Sequence, residues 1–139
     1  MTSEELIRRH EGTKMFDGRH VPYKCSAGVL TIGYGRNLEK GLSEAAAQFL
    51  FTEDMAEIRK QLSTWKTYIL LDEVRQAVVE NMVFNLGWTK FNQFERTMQA
   101  LTNHQYSDAA DYMLQSRWAK QVGKRAVELS EMMRTGEWP

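Results

Sequence analysis

The chain has 139 residues, of which 42% are hydrophobic and 26% are charged, and its formal net charge is +0 at pH 7. This composition is typical of a globular domain and excludes a disordered chain. The charge balance provides no basic field for nucleic acid, and the sequence contains no local basic patch, so we expect no nucleic-acid partner. The single cysteine, Cys25, can form neither an internal disulfide nor a CxxC metal motif.

The N-terminal segment has the pattern of a helix. Charged residues interrupt its apolar residues almost at once, unlike those of a signal peptide or membrane anchor, so we expect synthesis in the cytoplasm and no stable membrane insertion. Thr2 and Glu5 fit a capping box, and Gly12 is a suitable residue to end a helix. The sequence therefore predicts a helix over residues 3–11, with Glu11 in its last turn.

Residues 13–42 have a different pattern, that of turns and short strands. Asp17-Gly18 is a hairpin turn sequence, Cys25-Ser26-Ala27-Gly28 is another, and residues 29–34 are rich in β-branched and aromatic side chains. These features predict one small antiparallel sheet, a β-lobe.

The rest of the chain has the spacing of helices. Ser43 is a good N-cap for one long helix over residues 43–64, which contains neither glycine nor proline. Residues 65–139 are predicted to be a helical lobe. N-caps and apolar spacing predict helices over 72–86, over 91–101 and over 124–134, and Ser107 is predicted to cap another.

Apolar residues on more than one side of the segment from Asp72 mark it as the centre of this lobe. We expect all four tryptophans to pack in cores rather than to stack on a ligand: Trp65, Trp88, Trp118 and Trp138. The predicted fold is α+β and mostly α, with a β-lobe (13–42), a connecting helix and a helical lobe that includes the helix at 3–11. We expect one domain over residues 1–139, with a cleft between its lobes.

Three polar side chains suggest a site. Glu11 ends the first helix. The unpaired carbonyls that point outward there disfavour a negative charge and raise the pKa of the carboxyl, which could then act as a general acid. An exposed glutamate in a frayed last turn would give the same sequence pattern. Cys25 is either a buried turn residue or a thiolate beside Lys24 that acts as nucleophile or base. Thr31 is either an ordinary strand residue or part of the site.

Phosphate and metal sites have little support in the sequence. Gly33 and Gly35 flank Tyr34 without the spacing of a phosphate loop, so we expect close backbone packing or substrate approach there. The histidines match no zinc-ligand spacing: His10, His20 and His104. We expect no metal and no cofactor.

The run E-G at 11–12, followed by C-S-A-G-V-L-T-I-G-Y-G at 25–35, closely resembles the phage-type lysozymes of glycoside hydrolase family 24. Their pattern is a glutamate after the first helix, an aspartate or cysteine in the following turn, and a threonine before I-G-Y-G. Residues 71–87 are similar to the central helix of that family, and residues 116–126 and 133–138 are similar to its C-terminal motifs.

The resemblance implies an endolysin muramidase that hydrolyses the β-1,4 bond between N-acetylmuramic acid and N-acetylglucosamine in peptidoglycan, with inversion and without a cofactor. It implies that Glu11 is the general acid, that Thr31 helps to place the attacking water, and that Cys25 takes the place of the family's aspartate or cysteine. Arg125 would support Glu11 by pairing with it. The substrate-binding residues that we expect are Gly35, Phe84, Asn85 and Thr97.

The resemblance also implies a role in host cell lysis. Such an enzyme is made in the host cytoplasm and reaches the peptidoglycan layer after a holin releases it. We expect it to be a monomer.

The chain departs from the family between Glu11 and Cys25, where it carries about five extra residues, which predicts a longer hairpin with Asp17-Gly18 at its tip. Asp17 is therefore a rival carboxylate, ranked below Cys25 because an Asp-Gly turn already explains it. Two other functions stay open. One is an inactive peptidoglycan-binding module of lysozyme fold, and the other is a peptidase or amidase that uses Cys25 with His20.

Overall fold

The computed structural model describes all residues of the chain, 1–139, and 64% of them are helical. Nine α-helices accompany five short strands, which confirms the predicted α+β, mostly α fold class. None of the helices combines the length and the apolar character needed to cross a bilayer. The chain divides into two compact units, Met1–Phe49 and Leu50–Pro139. The assignment of residues 1–139 to one domain stays a prediction.

The first unit begins with helix α1, Ser3–Glu11, as predicted. Its capping box is complete, because the Glu5 amide donates to Thr2 Oγ1 (3.1 Å) and the Thr2 amide donates to Glu5 Oε2 (2.7 Å). The helix ends at Gly12, whose φ of 69° is favourable only for glycine. Glu11 is thus the last helical residue.

Five strands follow, and they form two sheets rather than the single sheet that was predicted. The two-stranded sheet is a hairpin of β1 and β2, and the three-stranded sheet has the order β3-β4-β5. The break coincides with Pro22, which has no amide proton to donate to a ladder. The strands are β1 (Met15–Phe16), β2 (Arg19–His20), β3 (Tyr23–Lys24), β4 (Leu30–Ile32) and β5 (Arg36–Asn37).

The predicted turns are present. Asp17 and Gly18 both have positive φ, 51° and 75°, as a tight two-residue hairpin turn between β1 and β2 requires. The turn between β3 and β4 is closed by the Gly28 amide, which donates to the Cys25 carbonyl at 2.8 Å. Asn37 then caps a single 3₁₀ turn by accepting from the Glu39 amide at 2.9 Å.

Helix α2, Glu44–Leu62, is the long helix predicted from Ser43, whose hydroxyl oxygen accepts from the Ala46 amide at 3.1 Å. The boundary between the two units falls within it, between Phe49 and Leu50.

The second unit contains helices and no strands, and its core surrounds one helix. That helix is α4, which Asp72 caps by accepting from the Arg75 amide at 3.0 Å, as predicted. Its residues Val78, Val79 and Met82 are fully buried, so it is the centre of the unit. The helices after α2 are α3 (Lys66–Leu70), α4 (Glu73–Leu86), α5 (Trp88–Phe91), α6 (Glu95–Thr102), α7 (Tyr106–Leu114), α8 (Arg117–Val122) and α9 (Lys124–Thr135).

Two helix predictions were wrong. The segment predicted over 91–101 is interrupted between α5 and α6, because the Asn92 side chain donates back to the Trp88 carbonyl (2.8 Å) and the Phe94 amide turns back to the Phe91 carbonyl (2.9 Å). Ser107 is not an N-cap but a residue within α7, which begins one residue earlier without a side-chain cap.

Three of the four tryptophans pack as predicted. Trp118 is buried, and Trp65 and Trp88 both contact the fully buried ring of Phe91. Trp138 is 57% exposed, so its predicted burial was wrong. It lies beyond the end of α9, in a tail without secondary structure.

Candidate active site

A pocket of about 490 Å³ in the first unit brings together four residues that the sequence singled out: Glu11, Cys25, Thr31 and Gly35. The end of α1 supplies the glutamate, the β3–β4 turn the cysteine, β4 the threonine and the β4–β5 turn the glycine. The other lining residues are His10, Tyr23, Lys24, Ser26, Val29 and Asn37.

The carboxyl of Glu11 packs directly against the backbone of Gly35. A Cβ atom added to Gly35 would lie 2.7 Å from Glu11 Oε2 and 2.9 Å from Cδ, closer than real side-chain contacts. Gly35 also has a φ of 82°, in the region that L side chains rarely adopt. The backbone conformation therefore favours glycine at this position, and any side chain there would displace the Glu11 carboxyl.

The environment of Cys25 favours the thiolate. Amide groups of the turn, those of Val29 and Ala27 first, donate to the sulfur and lower the pKa of Cys25, while partial desolvation opposes them. Thr31 adds a smaller effect in the same direction. The causes of the lowered pKa of Cys25 are thus the backbone of the turn and Thr31, and Lys24 is not among them.

Thr31 is buried at 3% exposure, and its hydroxyl donates to the Val29 carbonyl at 2.9 Å. A hydroxyl has one proton, so donation to an ionised Cys25 competes with donation to this carbonyl. In the sheet Thr31 pairs with Tyr23 on one side and with Asn37 on the other. Directly paired residues share a face of the sheet, which places this polar row along the pocket.

The sequence did not single out Tyr23 or Asn37 as site residues, and it considered His10 only as a zinc ligand. Tyr23 and Cys25 do show an alternation with a period of two, which would place both on one face of a strand. The position of Asn37 in the pocket depends on the register of β5 against β4, and residue spacing does not give that register.

The two alternative site residues, Asp17 as the carboxylate and His20 as the base, do not line this pocket. Asp17 lies in the β1–β2 turn and is absent from the pocket lining. His20 packs edge-on against Tyr34, with 5.2 Å between ring centroids, and is also absent from that lining. The pocket therefore does not pair Cys25 with His20, as the peptidase alternative requires.

In the second unit, Thr97 is the one predicted residue that lines a larger cavity, of about 720 Å³, and Phe84 and Asn85 are absent from its lining. Thr97 is buried in its wall together with Trp118. The Trp118 indole Nε1 donates to Asn85 Oδ1 at 2.8 Å, which fixes the orientation of that amide. Phe84 is exposed, and its ring lies 5.7 Å from that of Phe51.

The lining of this cavity is rich in polar and aromatic groups that the sequence did not single out individually. It includes Gln93, Arg96, Tyr112, Gln115, Arg117 and Gln121. The guanidinium of Arg96 lies 4.2 Å from the ring centre of Tyr112. Such a wall suits a ligand that combines hydroxyl and amide groups with apolar ring faces.

Arg125, the predicted supporting residue, has its guanidinium Nε donating to Asn81 Oδ1 at 2.8 Å. Asn81 lies in α4 and Arg125 in α9, so this hydrogen bond joins two helices of the second unit. The pairing of Arg125 with Glu11 stays a prediction.

Comparison with known proteins identifies the class of this site. The phage lysozyme family model matches residues 11–134. The chain is 31% identical over 124 residues to an endolysin of Acyrthosiphon pisum secondary endosymbiont phage 1, covering 86% of this chain and 80% of that protein. Two Dictyostelium discoideum proteins, probable T4-type lysozymes 2 and 1, are each 24% identical, over 76% and 68% of this chain and 65% and 58% of theirs.

A small sheet beside a helix that ends in a glutamate, together with these matches, defines a glycoside hydrolase of the lysozyme class. The chain belongs to the phage lysozyme family, which confirms the resemblance seen in its sequence.

Proposed function

We propose that this lysozyme is an endolysin muramidase that cleaves the β-1,4 bond between N-acetylmuramic acid and N-acetylglucosamine, with Glu11 as the general acid. The observation that carries the proposal is the pocket that Glu11 shares with Cys25 and Thr31. It offers a carboxyl group to the leaving oxygen of a glycoside, and a thiol and a hydroxyl group to a water molecule.

The first role belongs to Glu11. Its protonated carboxyl donates a proton to the glycosidic oxygen as the bond to the anomeric carbon breaks, and positive charge develops on the sugar ring. The close backbone of Gly35 limits the positions that this carboxyl can take. A fixed donor avoids part of the entropic cost of reaching the transition state.

The second role belongs to Cys25 and Thr31. The thiolate, favoured by the turn amides, accepts a proton from water as the water attacks the anomeric carbon from the face opposite Glu11. Thr31 donates to the Val29 carbonyl, so a lone pair on its oxygen is free to orient that water. Attack from the opposite face inverts the anomeric configuration.

Sugar binding in the second unit is assigned to Phe84, Asn85 and Thr97. The Trp118 indole occupies the Asn85 oxygen, which leaves the amide NH₂ to donate to a sugar hydroxyl or acetamido carbonyl. The exposed ring of Phe84 offers an apolar surface to a sugar face. The role of Arg125 as the partner of Glu11 rests on the family resemblance.

The biological role that follows is lysis of a bacterial host. The endolysin name of the phage relative supports it. The enzyme would be a monomer made in the host cytoplasm, and a holin would give it access to peptidoglycan.

Product analysis tests the proposal. Purified peptidoglycan is digested in oxygen-18 water by wild type, Glu11→Gln and, as a matched control on the same helix, Glu4→Gln. Mass spectrometry should find the label at reducing-end muramic acid for wild type and Glu4→Gln only, and NMR of the fresh product should find the inverted anomer. Released peptides, an anhydro-muramic product, or full activity of Glu11→Gln would contradict the proposal.

A further inference from the structure

The turn that carries Gly35 is held against α1 at a second point. Tyr34 is the middle residue of this turn, and the guanidinium carbon of Arg8 lies 4.8 Å from the centre of its ring. Arg8 stands three residues before Glu11 in α1, about one helical turn. Its carbonyl also accepts the Gly12 amide at 3.1 Å, the hydrogen bond that closes the helix. The last turn of α1 therefore contacts the β4–β5 turn through both Arg8 and Glu11.

The β1–β2 hairpin supplies a third contact with the same ring. His20, in β2, meets Tyr34 with 5.2 Å between ring centroids and an interplanar angle of 70°, an edge-to-face arrangement. By the resemblance described above, this hairpin holds the extra residues between Glu11 and Cys25. Tyr34 thus lies against α1 through Arg8 and against the hairpin through His20.

These contacts matter for the acid because Tyr34 and Gly35 are adjacent in the chain. The Glu11 carboxyl packs against the backbone of Gly35, closely enough that even a Cβ atom would not fit between them. If loss of the Tyr34 contacts let the turn move away, the carboxyl would be free to take other rotamers. Tyr34 itself does not line the pocket, so it can affect the reaction without touching the substrate there.

We infer that Tyr34, held between Arg8 and His20, is a positioning residue for Glu11, and that the β1–β2 hairpin is a brace for the catalytic acid. The inference rests on the proposed function of Glu11. It gives the long hairpin a role in catalysis rather than in substrate contact. It also predicts that changes at Tyr34 and His20 act on kcat and not on KM.

The test compares kcat and KM on soluble peptidoglycan fragments for two pairs of variants, Tyr34→Ala with Tyr34→Phe and His20→Ala with His20→Phe. The alanine variants should lower kcat about tenfold at an unchanged KM, since small misplacement of a catalytic group costs up to about a hundredfold. The phenylalanine variants keep a ring and should restore most of the rate. Tyr34 is half-exposed, so its truncation should leave the thermal unfolding midpoint nearly unchanged.

A matched control is available in the second unit, where His104 and Tyr106 also form an edge-to-face pair, at 6.1 Å. His104→Ala should leave kcat unchanged. Because the brace acts through the acid, Tyr34→Ala should cause no further loss in a Glu11→Gln background. If Tyr34→Ala unfolds, the His20 pair decides the test.

The positioning role of Tyr34 can fail on its own or together with the proposed function of Glu11, and the experiment distinguishes the two. Wild-type kcat in Glu11→Gln would overturn the proposed function and the brace with it. An inactive Glu11→Gln beside alanine variants of Tyr34 and His20 with wild-type kcat would overturn the brace alone. A raised KM at constant kcat would also overturn it, because that would make the ring a substrate contact.

Discussion

The α-carbon of Gly35 faces the carboxyl of Glu11 so closely that a methyl group there would lie 2.7 Å from Oε2. The two residues are far apart in sequence, and one is in a turn while the other ends a helix. Their contact joins the β4–β5 turn to the end of α1.

Gly35→Ala should therefore impair both stability and catalysis. The positive φ alone costs an L residue about 1–2 kcal/mol, and the new methyl group would displace the Glu11 carboxyl. We expect kcat to fall by about a hundredfold. Gly41→Ala is the matched control, since Gly41 also has a positive φ (73°) but no atom within 4 Å of its added Cβ and does not line the pocket. Equal losses of activity in the two variants would contradict a specific role for the Glu11 contact.

Cys25→Asp should remain active, within about tenfold of wild type, because a carboxylate can accept a proton from water as a thiolate does. Cys25→Ala removes that group and should lower kcat by about a hundredfold or more. Rates of reducing-sugar release from peptidoglycan measure both. Inactivity of both variants, with release of peptides by wild type, would show instead that the sulfur is a nucleophile.

The pH dependence should follow the pKa of Cys25, which the turn amides and Thr31 lower. The pKa of a free cysteine is roughly 8.5. Because the pKa of Cys25 is lowered, its thiolate persists to a lower pH, so the acidic limb of the pH–activity profile should lie below that value. Thr31→Val removes one donor to the sulfur and should move this limb to higher pH, whereas Thr31→Ser should not. Thiolate absorbance against pH measures the shift directly, and a Thr31→Val titration identical to that of wild type would contradict it.

Tyr68→Phe should weaken the second unit without affecting chemistry. The Tyr68 hydroxyl donates to Glu80 Oε1 at 2.7 Å, and Arg59 Nε contacts the same oxygen at 3.0 Å. Burial and the Glu80 carboxylate raise the pKa of Tyr68 to about 12, so the phenol stays protonated at ordinary pH. Loss of the hydrogen bond should lower the free energy of unfolding by about 1–2 kcal/mol in urea titrations. An unchanged unfolding midpoint would show that the bond contributes nothing net.

Local signals account for what could be predicted of the fold. Thr2 and Asp72 start helices by capping neighbours three residues away, and Asp17-Gly18 forms a turn from its own backbone preferences. The break before α6 coincides with the hydrogen bonds of Asn92 and Phe94 back to the preceding turn, which residue spacing does not reveal. The Phe94 ring there packs against Trp118, 6.2 Å between centroids. Ser107 is typical of an N-cap, yet the helix already begins at the preceding residue.

In the candidate site, too, local features could be predicted and contacts between separate elements could not. Glu11, Cys25 and Thr31 occur in a short stretch whose helix end, turn and strand are each visible in the sequence, so their proximity could be expected. Asn37 joins them only through strand register, and His20 was considered as a base for Cys25 when its ring instead packs on Tyr34. Contacts between side chains of separate elements are what the sequence alone did not give.

The most direct test of the central claim, that Glu11 is the proton donor, varies the leaving group. Wild type and Glu11→Gln are compared on aryl glycosides of the peptidoglycan disaccharide whose phenols range from weakly to strongly acidic. A phenol that leaves readily needs no proton, so the defect of Glu11→Gln should shrink from about a hundredfold or more toward none as the phenol becomes more acidic. The same defect with every leaving group would contradict the role of Glu11 as general acid.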